Sequence, residues 1–235
     1  MRGPAVVLTG AAARRVARVL RRRAGDLLNL TDGRGRDFTA RLESVGTARV
    51  EAVIISEEGG GPAGLPVRLF QAVPKSQRMD WLVEKAVELG VSEIHPLQTA
   101  RSVVKTEGPG GERLERWRRI AAQALGQSGG GRRAVIDPPC SLEEAISRLK
   151  PGQATLVAWE GEKELSLREA LRTGVAPGRE VNLFVGPEGG FTPSEISRLR
   201  TAGGRTVTLG PRTLRSETAP LVMLSALLLE NEHLL

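Results

Sequence analysis

Twice near the C-terminal end of the chain, a short apolar run ends in a glycine-bearing turn and passes straight into a helix start. In the first case Val181-Asn-Leu-Phe-Val185 leads into Gly186-Pro-Glu-Gly-Gly-Phe191. Thr192-Pro-Ser-Glu195 then supplies an N-cap, a proline at the first helical position and the glutamate of a capping box. In the second, Thr206-Val-Thr-Leu209 leads into Gly210-Pro-Arg-Thr-Leu-Arg215, and Ser216-Glu-Thr-Ala219 opens the last helix. Pro220 is tolerated because it falls in that helix's first turn. This order puts both turns at carboxyl ends of strands, where α/β sheets bind ligands. Glycines let bare backbone approach a ligand, and amides at a helix N-terminus favour an anion. A side chain at Gly189 is expected to block that approach. The same residues also suit a purely structural turn and an ordinary charged loop.

The chain upstream alternates in the same way. Strands are expected at Val67–Val73, Ile94–Leu97, Ala154–Ala158, Val181–Val185 and Arg205–Leu209. Between them, Met79, Leu82, Val83, Ala86 and Val87 recur at helical spacing up to Gly90, and Leu114, Trp117, Ala121, Ala124 and Leu125 do the same. Ser141 with Glu144, and Ser166 with Glu169, read as capping boxes of two more helices. Helices are expected over Pro193–Thr201 and Glu217–Glu230. Such alternation implies a mostly parallel sheet covered by helices. The last helix is apolar around most of its circumference from Pro220 to Leu229. A helix covering one sheet face needs a single apolar stripe, so the surplus suggests a partner subunit and a homodimer.

Glu57 to Pro66 is rich in glycine and proline and lacks apolar periodicity, which marks a linker. It divides the chain into a small domain, 1–66, and a larger one, 67–235. In the small domain Ala11–Arg23 reads as a helix, with Val16, Val19 and Leu20 on one face and Arg14, Arg18, Arg21 and Arg22 on the other. Strands follow from Asp26 onward, at Phe38–Leu42 and at Arg49–Ile55, which suits a small barrel.

Formal charge is +7, with 34 Lys and Arg against 27 Asp and Glu, which favours a polyanionic partner such as nucleic acid. Tyrosine is absent and aromatics make up 3%, so a base-stacking sheet is not the means of recognition. Cys140 is the single cysteine, and His95 and His233 lie far apart, so no disulfide and no metal site is expected. No stretch is apolar and long enough to span a bilayer, and residues 1–8 lack signal-peptide character, so a cytoplasmic protein is expected.

"GPEGGFTPSE" and "LGPRTLRSETA", in that order, resemble the 16S ribosomal RNA (uracil-N3)-methyltransferases. Further matching pieces are Leu20–Gly35, Lys75–Ser102 and Ala121–Ser128, so the resemblance spans nearly the whole chain. It implies a SPOUT α/β domain with a C-terminal trefoil knot, preceded by a PUA-like barrel. It also implies S-adenosylmethionine as cofactor, 16S rRNA of the small ribosomal subunit as substrate, and a dimer with the site at its interface. Carried onto this chain, the cofactor loops are Val185, Gly186, Pro187, Glu188, Gly189 and Gly190, with Leu209, Gly210, Arg212, Thr213 and Leu214. Ala158, Trp159 and Glu160 form a third wall. Arg215 and Glu217 fall beside the reacting centre, with Glu188 as a competing carboxylate. RNA contacts fall on Arg14, Arg18, Arg21, Arg22, Lys75, Arg78, Arg101, Gln127 and Ser128. Two departures stand out: Arg14 and Arg15 replace a histidine pair, and Gly126 replaces a glutamate ahead of Gln127.

The resemblance implies a mechanism in which a cation such as Arg215 stabilises charge on uracil while Glu217 takes the imide proton. Ribose 2′-O methylation by the same fold, and ribosome binding without catalysis, are the rival readings.

Overall fold

A computed structural model describes residues 3–33, 36–59, 66–75, 77–103, 111–128, 133–176 and 179–231. The described residues before position 60 form one compact unit, and those from position 66 onward form a second.

The first unit is an antiparallel sheet of β1 (Ala5–Thr9), β2 (Leu27–Thr31), β3 (Arg36–Val45) and β4 (Arg49–Gly59), in the order β1-β4-β3-β2. It is an open sheet: no pairing of β1 with β2 closes the expected barrel among the described residues. Nor was β1 expected. Strand β4 runs on through Glu57 to Gly59, paired with Arg36 to Phe38, so part of the expected linker is sheet; residues 60–65 lie outside the described ones.

One face of this sheet is covered by α1 (Gly10–Arg14) and the π-helical turn that extends it over Arg15–Val19. Ala13 and Val16 pack against Ala40, Leu42, Val50 and Ala52. The expected apolar face does not form, because Val19 is 73% exposed and Leu20 40%. The Leu20 amide bonds back to Arg15 O, five residues away, and this wider turn rotates later residues off the α-helical phase. The chain then leaves through Arg21, in the left-handed region at φ 49°. Arg14, Arg18, Arg21 and Arg22 are all exposed, with Arg21 and Arg22 lying past the helix.

The second unit is a seven-stranded parallel sheet. Its strands are β5 (Val67–Ala72), β6 (Glu93–Gln98), β7 (Val135–Ile136), β8 (Cys140–Ser141), β9 (Ala154–Ala158), β10 (Val181–Val185) and β11 (Arg205–Val207). The order is β11-β9-β10-β5-β6-β7, with β8 also on β6. On one face lie α2 (Arg78–Glu88), α3 (Gly111–Ser128), α5 (Leu167–Gly174) and α7 (Ala219–Glu230), whose apolar side chains form the larger core. On the other face, α4 (Leu142–Ser147) and α6 (Pro193–Thr201) pack over Phe70, Phe184 and Phe191. Both capping boxes at Ser141 and Thr192 form, and Ser166 accepts the Glu169 amide. Strand β11 stops at Val207, short of the expected Leu209, and Thr208 bridges to Ser166.

Central strands β5 and β10 are buried throughout, yet each carries a polar residue at its second position. Register explains this. Glu93, Arg68, Asn182 and Thr155 are successive cross-strand neighbours and form a polar row at the amino edge of the sheet. Arg68 pairs with Glu93 at 3.1 Å and Glu180 at 3.2 Å, donates to Asn182 Oδ1 at 3.4 Å, and lies over the Phe70 ring. His95 stacks on that ring from β6, and burial pushes its imidazolium form down in pKa. Its role is in this packing.

Arg68→Ala should leave the buried Asn182 Oδ1 without its Arg68 donor and remove the cation from Glu93 and Glu180, which keep His95 and Gln153, at a cost of about 2 kcal/mol. Urea denaturation checks this. A midpoint equal to wild type would show that the row contributes nothing.

Candidate active site

Strand β10 is inserted between β5 and β9, which the chain has already laid down, so the strand order reverses there. A crevice opens at such a switch point at the carboxyl ends of the strands. Here it is a cleft of about 830 Å³. One wall is the β10–α6 turn from Val185 to Gly190, the second is Leu209 to Leu214, and the third is Ala158, Trp159 and Glu160. Every expected cofactor-loop residue therefore lines a single cavity. Arg215 lines it as well, 75% exposed, with Nη1 4.0 Å from Glu217 Oε1.

The turns are built by their own packing. A Cβ on Gly186 would sit 3.2 Å from the Gly190 carbonyl carbon and 3.2 Å from the Phe191 amide nitrogen, tight contacts that the turn would have to shift to accept. Gly190 has φ 67°, and a Cβ there would collide with the Glu160 carboxylate on the facing wall. Gly189 behaves differently from expectation. Its Cβ would meet the stem of Arg101, 3.3 Å from Arg101 Cβ, so a side chain there strikes the neighbouring turn first.

That neighbouring turn, Thr99 to Ser102, is tied to the site by Glu195. The buried carboxylate takes the Thr192 amide at 2.7 Å and the Ala100 amide at 2.8 Å, while Arg101 Nη1 donates to Gly189 O at 2.7 Å. Arg101, expected on RNA, is thus engaged with the glycine turn. Arg78, also expected on RNA, lines the cleft and ion-pairs with Glu188 at 3.4 Å and Glu217 at 3.6 Å. Glu188 also accepts the Lys75 amide at 2.9 Å. The Lys75 side chain is exposed. Gln127 and Ser128 close α3, and their side chains lie outside the described residues.

A profile of the RNA methyltransferase domain matches residues 62–228, and one of the RNA methyltransferase PUA domain matches residues 8–55. The chain is 32% identical to the ribosomal RNA small subunit methyltransferase E of Bacillus subtilis, over 98% of this chain and 92% of that protein. The chain belongs to the ribosomal RNA small subunit methyltransferase E family. The Mycobacterium tuberculosis member is 34% identical over 95% of this chain and 86% of its own length. The solved Neisseria gonorrhoeae member, bound to S-adenosyl methionine, superposes with a TM-score of 0.85 at 33% identity, covering 97% and 93% of the two chains. A Legionella pneumophila methyltransferase, solved with the cofactor SAM, gives 0.84 at 31% identity, covering 97% of this chain and 93% of that one. The fold is accordingly the SPOUT, or trefoil-knot, α/β class preceded by a PUA-like unit.

Within this family member the cleft also takes in Lys163, Thr208, Ser216 and Ala219, which sequence reasoning passed over. Lys163 is placed by its ammonium donating to Glu160 O at 3.0 Å. No sequence pattern marks that loop, because what orders it is Glu162. Its carboxylate collects the Thr206 hydroxyl, Arg200 and the amides of Lys163, Glu164 and Leu165. Arg200 in turn lies 5.3 Å from the Trp159 ring centre. Among the described residues no group of three His, Cys, Asp or Glu side chains could hold a metal, and no helix is long and apolar enough to cross a membrane.

These donors, the Thr206 hydroxyl foremost, hold the Glu162 carboxyl down to about 2, against an ordinary 4.5. A depressed carboxyl stabilises the fold above its unfolded value and loses that contribution as pH falls through the folded one. Stability should therefore decline between about pH 4.5 and 2. Glu162→Gln should be less stable at neutral pH and flatter across that window. Melting temperatures taken from pH 7 to 2.5 test it, and an unchanged acid slope would count against the assignment.

Proposed function

We propose that this chain transfers a methyl group from S-adenosylmethionine to N3 of a uridine in 16S ribosomal RNA of the small ribosomal subunit, in the cytoplasm. The observation that carries the reading is the convergence of three strand-end loops on one cleft with Arg215 at its rim. The residues present fit the cofactor. Gly190, at φ 67° and facing the Glu160 carboxylate, keeps the space between two walls clear of a side chain, and Leu209, Leu214 and Trp159 supply apolar walls. When bound, the cofactor supplies a methyl group already activated on a sulfonium. The protein must align the acceptor nitrogen, shield it from water and manage the imide proton.

Arg215 is the cation best placed to stabilise negative charge developing on a uracil carbonyl, being exposed at the rim. Glu217, buried and held by Arg78 and Arg215, is the acceptor for the imide proton. Glu188 serves as an anchor, since its Oε1 takes both the Lys75 amide and Arg78. The target base must leave its stack to reach this depth. Residues 1–66, with exposed Arg14, Arg18, Arg21 and Arg22, act as an RNA-contacting domain joined to the methyltransferase domain, 67–235. Lys75, Gln127 and Ser128 extend that contact.

Mass spectrometry of digested rRNA after reaction should show one methylated uracil base. A methylated ribose, or no methylation, would overturn the reading. Arg215→Ala should keep cofactor affinity but lose about a hundredfold in single-turnover rate at saturating cofactor and RNA. Arg215→Lys should recover only part of it, because the planar fork is gone. A near-normal rate in Arg215→Ala would remove Arg215 from the chemistry.

The active species is a homodimer. Helix α7 buries Met223, Leu224 and Leu227 against its own core yet leaves Val222 37% and Leu229 57% exposed, an apolar surplus that suits a second subunit. Light scattering at micromolar concentration should give twice the chain mass. A monomer mass would exclude the dimer.

A further inference from the structure

We infer that Arg78 is the positioning residue of the active site, acting through the Glu217 carboxylate. Three loops reach the cleft from different strands, and Arg78 is the one described side chain that pairs with carboxylates on two of them. From the first turn of α2, its Nη1 lies 3.4 Å from Glu188 Oε1 on the β10–α6 turn. Its Nε lies 3.6 Å from Glu217 Oε1, just before α7. Three residues upstream of α2, the Lys75 amide reinforces the first link at 2.9 Å. One planar guanidinium thus spans two carboxylates on a fixed fork, which a lysine's single ammonium cannot reproduce.

Charge explains why the link matters. Glu217 is buried, and among the described residues its other polar contacts are a weak one to Arg215 at 4.0 Å and the Ser216 hydroxyl at 3.5 Å. Arg215 is largely exposed and, in the reading above, is turned toward the base. Arg78 is therefore the cation that holds the Glu217 carboxylate in one orientation while Arg215 serves the substrate. A carboxylate that must meet one proton on one nitrogen loses rate steeply when its orientation is loosened.

This rests on Glu217 acting in the chemistry, so the experiment separates the two claims. Single-turnover methyl transfer is measured at saturating S-adenosylmethionine and rRNA for Arg78→Ala, Arg78→Lys, Glu217→Gln and the Arg78→Ala/Glu217→Gln pair. Cofactor and RNA affinities and melting temperatures are taken alongside. Arg78→Ala should lose about tenfold to a hundredfold in rate with affinities near wild type, and Arg78→Lys should recover part of it. In the Glu217→Gln background the Arg78 change should add less than about threefold, the non-additivity of residues acting as a unit. Full additivity would overturn the inference. So would weaker RNA binding with a shallower salt dependence and an unchanged saturated rate, which would make Arg78 a phosphate contact. A slow Glu217→Gln beside a normal Arg78→Ala would sink this inference alone. A normal Glu217→Gln would sink the proton-acceptor reading itself, and this inference with it.

Discussion

Parallel pairing of β10 between β5 and β9 is the constraint on which the rest of the second unit depends. A strand buried on both faces and bonded on both edges has no freedom left. Its carboxyl end must therefore emerge where the strand order reverses, with the loops of β9 and β11 on one side and that of β5 on the other. Everything chemical follows from that emergence. Gly186 and Gly190 allow the turn to fold back on Phe191, the helix it opens is capped by Thr192 and Glu195, and the cleft forms between this turn and its neighbours.

Two ends of the sheet carry opposite kinds of polarity. At the amino edge, Glu93, Arg68, Asn182 and Thr155 satisfy one another side by side, and this closed row anchors the central strands in register. At the carboxyl edge, Arg78, Glu188, Glu217 and Arg215 are paired more loosely, at distances of 3.4 to 4.0 Å, and open to a cleft. A network that is satisfied internally stabilises; one left with spare capacity at a concave surface can exchange partners with a ligand.

Much of this was legible from local pattern. Apart from the two-residue strands β7 and β8, which were not expected, helix and strand runs in the second unit fell within a few residues of expectation, because caps at Ser141 and Thr192 and the stop at Gly90 are local devices with local physics. The first unit was read less well. A five-residue amide-to-carbonyl bond at Arg15 put Val19 and Leu20 on the surface, and no periodicity announces a π turn. Strand β1 was missed because Ala5–Thr9 is short and is defined by its pairing with β4.

By itself, then, the chain determined its element types, the two glycine turns, the capping residues and the family to which those motifs belong, since each is written in neighbouring residues. Tertiary structure alone decided which charges face one another. Arg78 and Arg101 read as generic basic residues in sequence, yet one pairs with carboxylates more than a hundred positions away and the other caps Gly189. Lys163 entered the site only because Glu162 is anchored to Thr206 across the sheet edge. Such contacts depend on strand order, and strand order is set by which apolar faces can be buried together rather than by anything a local window contains.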